Sequence, residues 1–177
     1  MHAFEGDHLG KLSVEKLKVE PEFDMMLYLE ISGSNRLDHE LMDLFETSWE
    51  AWAPHFKAVK FTPEGSRKGV LLVYLDKRAE ELVEEAWQRS PSQGFALHNL
   101  AITMVMTAVR QLIPEVEEGA CAPITPPDRD VKRRFEKLGL EWKEEGAMNR
   151  QYAVFTPMPY SGGCKICMMR ESCPRSR

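Results

Sequence analysis

Val70-Leu71-Leu72-Val73-Tyr74-Leu75 is an unbroken apolar run rich in β-branched side chains, with the length and composition of a strand inside a sheet rather than at its edge. Pro63-Glu64-Gly65-Ser66 ahead of it is a turn signal, and 57–62 alternates apolar with polar residues. Residues 56–76 therefore read as a β-hairpin. Asp76 then stands where a helix N-cap belongs, before the apolar positions Ala79, Leu82, Val83, Ala86 and Trp87. The next periodic segment, 95–113, is apolar on most sides apart from a stripe of Asn99, Thr103 and Thr107. Such a helix is buried, and the sheet is its natural partner. The stripe either lines a pocket near His98 or bonds back to the preceding helical turn.

Upstream, Leu12, Val14, Leu17 and Val19 suggest a short edge strand stopped by Pro21, and Leu27, Leu29 and Ile31 alternate with Tyr28 and Glu30 as in a half-buried strand over Met25–Ser32. Gly33-Ser34-Asn35 turns the chain into a helix carrying Leu37, Leu41, Leu44, Phe45, Trp49 and Trp52, which Pro54 ends. Ser90-Pro91-Ser92 reads as a break between helices, and the Pro-rich stretch 114–127 as an ordered loop. Downstream, 128–138 is a basic amphipathic helix, with Val131, Phe135 and Leu138 inward and Lys132, Arg133, Arg134 and Lys137 outward. Two strand-like halves follow over 140–157, around Glu145-Gly146-Ala147. Helix plus hairpin resembles a winged-helix fragment, without its two earlier helices. The expectation is an α+β fold: a small, mostly antiparallel sheet packed by helices, with a metal- or cluster-bound C-terminal segment. The organisation is a core over 1–114, a connecting loop over 115–127 carrying Cys121, and a helix–hairpin–cysteine segment over 128–177.

With 177 residues, 43% of them hydrophobic, the chain has enough apolar material for a core that needs no metal to rescue it. Its first residues, Met1 to Asp7, have neither a basic nor an apolar leader pattern, and no apolar run is long enough to span a bilayer. A cytoplasmic protein without membrane contact is expected. The net charge is −5, yet residues 128–177 hold eleven Lys/Arg against seven Asp/Glu. A basic C-terminal segment on an acidic body fits a redox partner or nucleic acid at that end, or simply a solvated surface.

The chemistry is concentrated in Gly162-Gly163-Cys164-Lys165-Ile166-Cys167-Met168-Met169-Arg170-Glu171-Ser172-Cys173-Pro174. Three of the four cysteines fall here as C-x2-C-x5-C, and the fourth, Cys121, lies 43 residues before Cys164. Thiolates are the soft ligands of zinc and of iron–sulfur clusters, and both centres usually take four protein ligands. Three local thiolates and one distant one use every cysteine in the chain. The usual zinc arrangements need a second C-x2-4-C knuckle or a His-x3-5-His pair, whereas no second knuckle exists and no histidine follows His98. Disulfides or redox thiols are the remaining readings, and disulfides fit poorly with an acidic chain lacking a secretory signal.

This cysteine order resembles that of [4Fe-4S] proteins: endonuclease-III-like DNA glycosylases, auxiliary-cluster domains of radical-SAM enzymes, and iron–sulfur nucleases of the recombination and CRISPR-adaptation families. In those nucleases one cysteine comes from far upstream and three arrive near the C-terminus as C-x2-C-x5-C, and Pro174 matches the Cys-Pro ending of many cluster motifs. The resemblance covers the motif and Cys121 only, and it implies a [4Fe-4S] cluster held by Cys121, Cys164, Cys167 and Cys173, structural or redox-responsive. The alternatives are a nucleic-acid-binding or processing protein with a structural cluster, and a zinc-stabilised interaction module. Glu141-Trp142-Lys143, with Asp128 or Asp130 upstream, matches the E-x-K of metal-dependent nucleases, but both aspartates stand at a helix N-terminus, where acidic residues are favoured anyway. No P-loop, G-x-G-x-x-G, H-E-x-x-H, G-x-S-x-G or radical-SAM C-x3-C-x2-C occurs, and no catalytic residue is assigned.

Overall fold

The computed structural model describes residues 12–143 and 147–173. Met1 to Asp7, Glu145-Gly146 and Pro174 lie outside them. The fold is α+β, built on a four-stranded antiparallel sheet of order β1-β2-β3-β4: β1 (Leu12–Lys16), β2 (Phe56–Pro63), β3 (Gly69–Leu75) and β4 (Ala153–Met158). The hairpin over 56–76 is present, with Val59 opposite Leu72 and Phe56 opposite Leu75. β3 lies inside the sheet, between β2 and β4, and Leu71 to Leu75 are buried.

Alternation along β3 divides two cores. Leu71, Val73 and Leu75 face a large core with Trp52, Leu100, Met104 and Val109, while Leu72 and Tyr74 face a smaller one with Phe61, Val131, Phe135 and Phe155. The large core is covered by α1 (Met25–Ser32), α2 (Met42–Trp52), α3 (Lys77–Arg89) and α4 (Pro91–Leu112), the small one by α6 (Arg129–Lys137). The tryptophans of α2 are core anchors. Trp52 is buried, and the Trp49 indole N–H donates to the Pro21 carbonyl at 3.2 Å.

Three segments differ from their sequence expectations, each for a local reason. Met25–Ser32 is helix, not strand. The Asp24 carboxylate accepts from the Leu27 N–H at 3.0 Å, and Gly33 at φ 67° closes the other end, its own N–H and that of Ser34 reaching back to the Glu30 and Leu29 carbonyls. Both ends are capped, which outweighs the two-residue alternation. Ser90 does separate two helices, α3 and α4, but α4 begins at Pro91 rather than at 95, because Ser90 caps the helix and Pro91 occupies the first turn, where it has no N–H to lose. Pro114–Glu117 forms a single helical turn, α5, at the start of the expected loop.

The C-terminal segment also folds otherwise than expected. Its two strand-like halves meet around a Trp142–Met148 bridge, with the Lys143 and Asn149 N–H groups donating to the Ala147 and Glu141 carbonyls, and the second half runs on into β4, which pairs antiparallel with β3, Leu72 opposite Phe155. The winged-helix likeness ends there, because this strand completes the main sheet. Among the described residues, no helix is long and apolar enough to cross a membrane.

Candidate metal centre

β4 delivers the chain to the cysteine segment. After Met158, Tyr160 packs against the large core, and Gly162 and Gly163 follow at φ 71° and 48°. Only glycine takes this left-handed conformation readily, so the pair lets the backbone turn back at once before Cys164. Gly162 serves packing as well, since a Cβ there would lie 2.7 Å from the Ile166 side chain. A 3₁₀ turn over Gly163–Lys165 is then followed by further tight turns, the N–H groups of Arg170, Ser172 and Cys173 donating to the carbonyls of Cys167, Met169 and Arg170. Cys164, Cys167 and Cys173 are thus carried on consecutive turns within ten residues.

The loop that carries the distant cysteine adjoins this segment. The Met168 N–H donates to the Ile124 carbonyl at 2.9 Å, fastening the tail to the loop three residues beyond Cys121. Ala122, beside Cys121, packs against the same large core as Tyr160. Burial pushes the Tyr160 phenol up from its ordinary pKa, and Cys121, Cys164 and Glu115 push it further by their negative charge. Cys121 and Cys164, 43 residues apart in sequence, therefore both act on one phenol.

Convergence stops short of a closed ligand set. Cys121 and Cys164 are exposed, Cys167 and Cys173 half-buried, and no disulfide joins any of them. Among the described residues, no three His, Cys, Asp or Glu side chains stand close enough together to hold a metal ion. The fit to a four-thiolate centre is one of donor type and backbone placement: two segments bearing all four thiols are joined by a main-chain hydrogen bond, while the sulfurs do not meet at one point.

The other candidates separate. Asp128 accepts from the Val131 N–H at 2.8 Å as the cap of α6, and Asp130 lies 3.8 Å from Arg133, so both carboxylates serve that helix, while Glu141 and Lys143 are exposed. On α6 itself, Arg134 donates to the Leu12 carbonyl at 3.5 Å. The helix packs on the small core, across the sheet from Ala122 and Tyr160. The stripe on α4 bonds back along the helix, Thr103 to the Asn99 carbonyl at 2.8 Å and Thr107 to that of Thr103 at 2.9 Å.

Sequence reasoning set His98 beside a possible pocket but did not pair it with Tyr152. The His98 Nδ1 lies 3.1 Å from the Tyr152 hydroxyl and 3.4 Å from the Gln151 amide nitrogen. Both groups can donate to Nδ1 when the ring proton is on Nε2. Burial lowers the His98 pKa, and burial with Glu80 and Glu84 nearby raises that of Tyr152, so both stay neutral near pH 7. Tyr160 and the Gly162-Gly163 pair were missed too, although two glycines directly before a C-x2-C are a turn signal. No protein-family model and no curated protein matches the chain.

Proposed function

We propose that the protein binds a [4Fe-4S] cluster through Cys121, Cys164, Cys167 and Cys173. One observation carries this reading: the hydrogen bond from Met168 to Ile124 fastens the C-x2-C-x5-C segment to the loop bearing the only other cysteine. A chain that merely kept four unrelated thiols has no need to gather them onto two adjoining segments. When bound, such a cluster supplies either a one-electron redox couple or a fixed cross-link between loop and tail. The chain's own contribution is to present the thiolates and to bound one side of the site with the Tyr160 phenol. With four thiolates, no coordination position is left for a substrate, so the reading is a structural or redox-responsive centre.

Anaerobic reconstitution of the full chain with ferrous iron and sulfide tests it. We expect uptake of about four iron and four sulfide, as the cluster type requires, and a marked loss of uptake in each of Cys121→Ser, Cys164→Ser, Cys167→Ser and Cys173→Ser. Uptake unaffected by Cys121→Ser overturns the assignment of the fourth ligand. No uptake at all overturns the cluster.

A further inference from the structure

A cleft of about 560 Å³ opens beside β4, bounded by α1, the C-terminal half of α4 and the loop carrying Cys121. Its walls are mainly apolar, with Leu27, Ile31, Met106, Trp142, Val154 and Phe155 among them. Its size and lining are those of sites that enclose small organic molecules. The exceptions are Arg110 and Arg150, which line it together with Glu30, the one carboxylate among the described lining residues.

Neither guanidinium is fully used by the fold. The Nε of each is buried and has no hydrogen-bond partner among the described residues. Arg110 has carboxylates nearby, Asp24 at 3.9 Å and Glu30 at 3.6 Å, both beyond hydrogen-bonding distance. Arg150 is held more firmly, through one nitrogen only: Nη1 donates to the Asn149 carbonyl at 2.7 Å and to Glu80 at 3.4 Å. A buried donor without a partner is costly, and the two arginines that carry such donors both line this one cleft. Guanidinium groups are suited to planar oxyanions, which they meet through paired N–H donors.

We infer that this cleft binds a small carboxylic acid with an apolar body, the carboxylate taken by Arg110 and Arg150 and the body laid against Trp142 and Phe155. Neither arginine is a ligand of the proposed cluster, so binding at the arginines is tested separately from it. Because Cys121 lines the same cleft, a bound acid would sit next to the loop that carries the cysteine.

The test is calorimetric titration of the full chain with 4-phenylbutyrate and with decanoate, each compared with its neutral alcohol, 4-phenylbutanol or decanol. The expected result is saturable one-site binding of at least one acid, with its alcohol tenfold or more weaker. Arg110→Gln and Arg150→Gln each weaken that acid tenfold or more and leave the alcohol unchanged. The comparison of acid with alcohol uses the unaltered chain, so it stands even if a variant folds poorly. Equal affinity for acid and alcohol overturns the inference, as does the absence of saturable binding by both acids.

Discussion

Glu80 ties α3 to the chain that enters β4, and its removal tests whether that junction is structural. One carboxylate oxygen accepts from the Gln151 N–H at 2.6 Å, and the other lies 3.4 Å from Arg150 Nη1. The two side chains of the ion pair are only 17% and 15% exposed, so the pair is largely desolvated, unlike a surface salt bridge worth a few tenths of a kcal/mol. Glu80→Ala takes an acceptor from a main-chain N–H and leaves the guanidinium with less compensation. Breaking a buried pair from one side costs about 3–5 kcal/mol, and the residual exposure points to the lower end, about 3 kcal/mol. For a chain of this length that corresponds to a fall in Tm of about 6–12 °C. Glu80→Gln keeps an acceptor for Gln151 and loses only the charge, so about 1–2 kcal/mol is expected. Urea unfolding followed by circular dichroism measures both, with an unchanged m-value showing that the transition itself is the same. In the double variant Glu80→Ala/Arg150→Met the charge is gone from both sides, and it should be more stable than the sum of the single changes implies by about 1 kcal/mol or more. A Glu80→Ala protein within about 0.5 kcal/mol of the parent, the range of ordinary surface substitutions, would refute the reasoning.

Two further outcomes follow from the α3–α4 hairpin and the neighbouring histidine. Gly94→Ala should destabilise although alanine is the better helix former by about 1 kcal/mol: a Cβ there meets the Trp87 ring and lies 2.7 Å from the Trp87 Cα, which is backbone and cannot swing aside. Overpacking of this kind costs about 1–3 kcal/mol, so net stability in urea should fall, and a gain would show that the hairpin is looser than described. His98 has its pKa lowered below the ordinary 6.5 by burial, so between that value and its lower folded pKa the unfolded chain binds more protons than the folded one. Its contribution to stability is therefore complete above pH 6.5 and is lost as pH falls through this window. In His98→Asn, which keeps an acceptor for Tyr152, that part of the pH slope should disappear; an unchanged slope would assign it elsewhere.

The sheet was the legible part. Six consecutive apolar residues at 70–75 have one good structural solution, a strand covered on both faces, and the turn at 63–66 joins it to its neighbour. Leu27, Leu29 and Ile31 misled because a short apolar segment satisfies either period, and only the end groups decide. Asp24 three residues before Leu27, and Gly33 just past Ser32, were visible in sequence as caps. β4 was recognised as extended, but its partner was not, because local patterning says nothing about which distant strand a segment joins.

The site divides in the same way. The thiol spacing announced one place, and the hydrogen bond from Met168 to Ile124 joins the two segments that carry the thiols. Nothing local could have paired Arg110 with Arg150, which stand forty residues apart in sequence on a helix and in the approach to an edge strand. Each on its own looks like an ordinary surface arginine, and only the fold puts both on one apolar cleft.

The central claim is that the four cysteines hold a cluster, and the direct measurement is an absorption spectrum of the anaerobically purified protein with iron, sulfide and zinc analysis. The account predicts a brown protein absorbing near roughly 400 nm, the sulfur-to-iron charge-transfer region of such clusters, with iron and sulfide in equal amounts. A colourless protein retaining one zinc, or no metal, would contradict it.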